Sequence, residues 1–260
     1  LIMQSFLKVQ FEDVRLINPL QWIRCDDSYG NGVVRMNDSV ALARENRKQL
    51  GTINIMPGFM AASTQDEIIT LGRGGSDYSA ALMASFLEAS RLEIWTDVSG
   101  LMTADPRWVS SARTIEHLSY EEALELSHFG AKVIYPPTIQ PALERNIPIL
   151  IKNTFAPANP GTTITRSWED TSAIRGISSI SSLVLLNLTG SGMVGIPNFS
   201  ARLFKALADV GVNVVMITQA SSEHTICVGI ESKDVRIAVD AIHAAFEYEL
   251  QLHRVNSVEV

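Results

Sequence analysis

The sequence is poor in cysteine, poor in net positive charge and free of long apolar runs. Its two cysteines, Cys25 and Cys227, are too few for a disulfide scaffold, and no C-x-x-C pair is present to hold zinc. Such usage suits a reducing compartment, for which the cytoplasm is the natural reading. The formal net charge is −7 and the pI about 5.3. A non-specific nucleic-acid binder needs a basic face to displace counterions, so that class is set aside. Apolar runs such as Leu183–Leu186 and Val214–Ile217 fall far short of a membrane span. The opening Leu1-Ile2-Met3-Gln4-Ser5 has neither a basic region nor a cleavage site and is not a signal peptide. Because it opens on a residue other than Met, inside a helical pattern, it is read as part of a longer protein. A G-x-x-x-x-G-K-[ST] sequence is also missing, which disfavours a P-loop fold.

What is present suits a globular protein with one large core or two smaller ones, with 46% apolar and 19% charged residues. In the first part, strand-like segments (Thr52–Met56, Glu93–Val98, Ile149–Lys152) alternate with helical ones (Ser39–Leu50, Asp77–Ala89, Tyr120–Ser127). Alternation of this kind predicts an α/β layer structure with a mostly parallel sheet. Ser119-Tyr120-Glu121-Glu122 spells a capping box, and Gly130 stands where a left-handed residue ends the helix. A turn-rich link, Ala156-Pro157-Ala158-Asn159-Pro160-Gly161, begins a polar stretch, and the boundary is placed near residue 172, giving domains 1–172 and 173–260.

The second part has another rhythm. Leu183–Leu188 reads as a strand, Thr189–Gly192 as a loop, and Phe199, Leu203, Phe204, Leu207 and Val210 as a helical face ended by Gly211. Val212–Gln219 and Thr225–Ile230 read as strands around a turn at Ala220–His224. Val235, Val239, Ile242 and Phe246 mark a second helical face, and a last strand is expected over 252–260. This βαββαβ order is the ferredoxin-like plan.

Three segments carry chemistry. In Thr70-Leu71-Gly72-Arg73-Gly74-Gly75-Ser76-Asp77, a strand runs through a glycine turn into a helix. Glycines allow close backbone approach, helix-start amides favour an anion, and Arg73 adds a bidentate donor. The plainer reading is a strand-to-helix turn with Ser76 as N-cap. In the stretch from Trp95 to Arg107, Thr96 and Asp97 end a strand and lead into a polar loop closing on Asp105-Pro106-Arg107. Ligands in open α/β sheets gather beyond strand carboxyl ends, although such a loop also builds ordinary turns. Lys132 and Val133 follow Gly130, where a lysine often merely offsets a helix C-terminus. Together the cations suit a nucleotide triphosphate, since phosphoryl transfer asks mainly for positioning and charge stabilisation.

These segments resemble aspartokinase. Thr70–Ala81 is similar to the segment holding G-R-G-G-S-D, Ile94–Arg107 to W-T-D-V-x-G-[IV]-x-T-x-D-P-R, and Glu125–Pro136 to E-[LM]-x-x-F-G-A-K-V-[LI]-x-P. The resemblance implies the amino-acid kinase (carbamate kinase-like) fold followed by ACT modules. It implies transfer of the γ-phosphate of ATP to the side-chain carboxylate of L-aspartate with Mg2+, the first step toward lysine, threonine and methionine. By motif, Arg73, Ser76 and Asp77 would serve aspartate; Thr96, Asp97, Arg107, Lys132 and Val133 would hold the nucleotide; no residue is assigned to a metal. Met102 stands where the family has Tyr, and Tyr135 where His is common, so Tyr135 receives no role. The family's amino-terminal K-[FY]-G-G-[TS] motif and its aspartate-orienting glutamate are not in these residues, so the 260-residue chain alone is expected to be inactive. Val215–Ile226 resembles the first ACT module of threonine-sensitive aspartokinases, including those fused to homoserine dehydrogenase. That likeness implies Gln219 as an effector contact, threonine (or lysine) as effector, and a homo-oligomer formed through ACT modules. Residues 174–180 are expected as a strand of a second module. Two alternatives stay open: an amino-acid sensor on an inactive kinase-like segment, and a relative acting on acetylglutamate or uridylate.

Overall fold

The computed structural model describes residues 1–128, 133–168, 174–180, 182–190, 198–219, 224–255 and 257–259. Gly130, Lys132, the Ser191–Gly192 part of the expected loop, residues 220–223 of the expected turn, and Val260 lie outside the described residues. The chain divides into two compact units, Leu1–Ser179 and Ile180–Val260.

The first unit opens with α1 (Ile2–Lys8), β1 (Val14–Leu16), α2 (Met36–Asn46), β2 (Ile53–Ile55), β3 (Met60–Ala62) and β4 (Ile68–Thr70). β1 pairs β2 in parallel, and β3 pairs β4 antiparallel. Then come α3 (Gly75–Leu87), β5 (Leu92–Thr96), β6 (His117–Ser119), α4 (Tyr120–His128), α5 (Pro136–Arg145), β7 (Ile149–Asn153) and β8 (Thr162–Thr165). The sheet of this part has the order β5-β7-β8-β6. β5 runs parallel to β7 and β6 parallel to β8, while β7 and β8 are antiparallel. The sheet is therefore mixed, where a mostly parallel one is expected from the alternation.

Burial explains the layers. Ile149, Ile151 and Ile164 are fully buried with Leu118 and Tyr120 in one core, to which α3 gives Ala81 and Ala84 and α5 gives Ile139 and Ala142. Leu82 of α3 faces another core with Trp22, Ile23 and Ile69. One helix packed on two sides needs small residues, which Ser79, Ala81, Ala84 and Ser85 supply. At α4 the capping box forms as its spelling predicts: Glu122 N–H donates to Ser119 Oγ (3.1 Å), and Ser119 N–H to Glu122 Oε2 (2.7 Å).

The second unit holds β9 (Leu183–Thr189), α6 (Phe199–Asp209), β10 (Val214–Gln219), β11 (Thr225–Glu231), α7 (Val235–Ala245), α8 (Glu247–Gln251) and β12 (Ser257–Glu259). The order β10-β11-β9-β12 is the ferredoxin-like arrangement. Leu186, Leu188, Ile226, Val228 and Ile230 alternate toward Leu203, Leu207, Ala238 and Ile242 of the helices. Gly211, at φ +72°, ends α6 in the left-handed region as its type predicts.

One expectation needs correction. The last strand does not begin at residue 252. Glu249, paired through its side chain with Arg202 at 2.5 Å, receives the Arg254 and Val255 amides on its carbonyl, so a short helix and a turn occupy 247–254. Residues 174–180 pair with no strand among the described residues. Ile177 N–H donates to Thr103 O at 2.8 Å, and Arg175 reaches His117 O and lies 3.4 Å from Glu122, so this stretch packs on the first unit.

Candidate functional site

The placement of the site follows from two short reversals. α3 ends on Glu88 and α5 on Asn146, both left-handed caps at φ +53° and +56°. Each reversal feeds a strand at once, β5 after α3 and β7 after α5. A helix followed by a tight return lies antiparallel to its strand. The start of α3 and the approach to α5 therefore lie at the end of the sheet where β5 and β7 finish. Thr96 and Asn153, partners across those two strands, mark that end. Arg73–Asp77, Thr96–Asp97 and Val133 come to the same carboxyl end, the usual ligand position in such sheets.

At the first corner, Gly74 rather than Ser76 caps α3, in the left-handed region at φ +69°. Ser76 lies inside the first turn and is exposed, as is Arg73. Among the described residues Arg73 makes no ion pair, so its guanidinium is available to a ligand. Asp77 is half-buried, and burial pushes its carboxyl above the ordinary range. Behind it, Ser79 Oγ donates to Ser76 O at 2.8 Å and accepts from Phe59 N–H at 3.2 Å. Phe59 is held at φ +76°, an unusual conformation for a bulky residue and a mark of local strain beside a candidate site.

A residue given no role in the sequence proves close. A Cβ on Gly74 would lie 2.5 Å from Tyr135 Cβ and 2.7 Å from its Cγ. Tyr135 thus covers the glycine turn and locks the third segment onto the first. α3 and α5 pack side by side around this contact. Sequence offered one clue, the aromatic directly before Pro136 at the start of α5.

Further along, Thr96 Oγ1 donates to Asp97 Oδ1 at 3.1 Å. Arg107 does not stand free: its guanidinium holds Asp105 at 2.6 Å and 3.0 Å, and Asp105 is drawn below the usual carboxylate range by that bond. Arg107 is exposed and Asp105 partly so, so a phosphate could replace Asp105 at modest cost. Val133 is partly buried against the sheet core. Lys132 lies outside the described residues. Among those described, no group of three or more His, Cys, Asp or Glu side chains is arranged to hold a metal. A separate cleft of about 630 Å³, bordered by Arg113, His117, Trp168 and Arg175, takes Thr103 from the second motif but none of the candidate site residues. No helix among the described residues is long and apolar enough to cross a membrane.

Comparison with known proteins gives the same outline. The amino acid kinase family matches residues 2–153, and the ACT domain matches residues 186–246. The bifunctional aspartokinase/homoserine dehydrogenase of Haemophilus influenzae is 38% identical over 260 residues, 100% of this chain and 32% of the relative. The bifunctional aspartokinase/homoserine dehydrogenase 2, chloroplastic, of Arabidopsis thaliana is 40% identical over 95% of this chain and 27% of its own length. The chain thus spans about a third or less of these relatives. E. coli aspartokinase III in complex with aspartate and ADP superposes with a TM-score of 0.77 at 31% identity, covering 95% of this chain and 55% of that one. The same enzyme in complex with lysine and aspartate gives 0.74 at 32% identity, covering 99% and 57%. The chain therefore belongs to the amino acid kinase family, in its aspartokinase branch, with an ACT domain following the kinase part.

Proposed function

We propose that this chain supplies most of the reaction centre of an aspartate kinase, which moves the γ-phosphoryl group of ATP to the side-chain carboxylate of L-aspartate. The observation behind this reading is that the Arg73 turn and the Thr96–Asp97 strand end lie toward the same end of the sheet. Arg73 pairs with a carboxylate of aspartate, and Ser76 and Asp77 line the same corner. A side-chain carboxylate oxygen attacks the γ-phosphorus as the bond to ADP breaks, giving 4-phospho-L-aspartate. Thr96, Asp97 and Arg107, with Lys132 and Val133, hold the nucleotide, Arg107 exchanging Asp105 for phosphate. Mg2+ neutralises the phosphate charge when bound. The few acidic side chains here suit a cation carried in mainly on the nucleotide. The complex of the E. coli relative with aspartate and ADP supports this reading.

The ACT domain on this reading binds a small amino acid and feeds back on the kinase in a homo-oligomer within the cytoplasm. Gln219, at the exposed end of edge strand β10, is the effector contact, with threonine the first choice and lysine the other. The test is a hydroxamate trap for the acyl phosphate in the full-length protein, with ATP and aspartate. Arg73→Ala is expected to lower kcat/KM for aspartate roughly 100-fold, about 3 kcal/mol, as for a lost charged contact. A near-normal value would remove Arg73 from the site, and absence of aspartate-dependent hydroxamate in the wild type would end the reading.

A further inference from the structure

The segment from Thr96 to Ile115 is built as a stalk and a tip. In the stalk, Ile115 N–H donates to Leu101 O at 2.8 Å, Thr103 N–H to Arg113 O at 2.9 Å, and Arg113 N–H to Thr103 Oγ1 at 3.1 Å. Met102 bridges Thr114 between them. The tip carries Asp105, Arg107 and Trp108, with Trp108 79% exposed. A two-stranded stalk this short is marginal by itself and needs an anchor.

That anchor is one side chain from another strand. Thr162 opens β8 and is fully buried. Its hydroxyl accepts the Leu101 N–H at 2.8 Å and donates to Ile115 O at 2.6 Å, so a single oxygen ties both arms of the stalk to the sheet. The approach depends on the residue beside it: Gly100 sits at φ +101°, and a Cβ there would lie 2.3 Å from Thr162 Oγ1. A valine would nearly match the shape of Thr162, so packing alone does not call for threonine; the two hydrogen bonds do. A second tie lies one step away, where Ser99 Oγ meets the amide groups of Asn153 at 2.9 Å and Asn159 at 3.0 Å. Asn153 is the register partner of Thr96, so this tie joins the loop's base to the end of the neighbouring strand.

We propose that Thr162 is a positioning residue for the nucleotide: its hydroxyl sets the pose of the loop that presents Asp97 at its base and Arg107 at its tip. Thr162 touches no nucleotide and acts through Leu101 and Ile115. The inference rests on the reading of this loop as the nucleotide-binding one, and the control below separates the two.

The experiment compares wild type, Thr162→Val, Thr162→Ser, Ser99→Ala and Arg107→Ala in the full-length protein. It reads KM for ATP, KM for aspartate, kcat, and hydrogen exchange at the Leu101 amide. Thr162→Val is expected to raise KM for ATP roughly tenfold or more, as small misplacements of a binding group do, with KM for aspartate within about twofold. The Leu101 amide, left without its acceptor, exchanges faster. Thr162→Ser restores both values, and Ser99→Ala moves KM for ATP the same way by less. Arg107→Ala raises KM for ATP if the loop holds nucleotide; if it does not, that reading fails and the proposal falls with it. If Arg107→Ala raises KM while Thr162→Val leaves it unchanged, the proposal alone is overturned. Should Thr162→Val fail to fold, Ser99→Ala decides, and an unchanged KM for ATP in that variant overturns the proposal.

Discussion

Asp77 shows how a candidate site residue can act against the stability of the fold around it. It stands in the first turn of α3, where a negative charge is favoured by the helix, yet burial dominates and raises its pKa. The sign follows directly. A folded pKa above the unfolded value, about 3.9, gives a contribution fully present below the unfolded pKa and lost as pH rises through the folded one. Asp77→Asn is therefore expected to melt at a higher temperature than wild type at pH 7, and the gap should close as the pH falls below about 4. If Asp77 shapes the aspartate corner, the same variant loses aspartate turnover. Melting curves at the two pH values decide the first point; equal melting temperatures at pH 7 would show that Asp77 is not penalised by burial.

Among the elements, α4 is the one whose boundary was written most plainly in the chain. Ser119 and Glu122 satisfy each other's amides, an arrangement set by four consecutive residues. Ser119→Ala is expected to cost about 1 kcal/mol, the usual worth of a Ser cap, read as a lower denaturation midpoint with an unchanged slope. Tyr120, fully buried beside it, donates its hydroxyl to Ile147 O at 2.5 Å. That bond ties α4 to the strand approach and could not be foreseen, because it spans distant positions. The same distinction explains the end of the second unit. Apolar spacing identified the face of α7, but the short α8 depends on Arg202 of α6 gripping Glu249 at 2.5 Å while stacking over Phe246 at 4.5 Å.

For the molecule as a whole, the ACT unit presents β10 as an edge, with Met216 and Ile217 exposed. An effector alters a kinase only by binding one global state better than another. Threonine is expected to inhibit the full-length enzyme. Gln219→Ala should raise the half-inhibiting threonine concentration about tenfold, a coupling of roughly 1.4 kcal/mol, with uninhibited kcat within about twofold. Calorimetry with threonine and lysine side by side checks the ligand: binding of lysine alone would reassign the effector.

Sequence by itself determined local features: the start of α4 with its capping box, the glycine that ends α6, the glycine turn before α3, and the alternation that orders the second unit. Each depends on residues a few positions apart, and backbone sterics and neighbouring hydrogen bonds settle such features almost alone. Tertiary structure decided who meets whom across the chain. It brought Tyr135 onto Gly74, gave the 174–177 stretch to the first unit, and set the Thr162 hydroxyl between Leu101 and Ile115, residues 61 and 47 positions away. No periodicity or spacing encodes those meetings, because they arise only when separate elements bury their apolar faces in a common core and the remaining polar groups must find partners there.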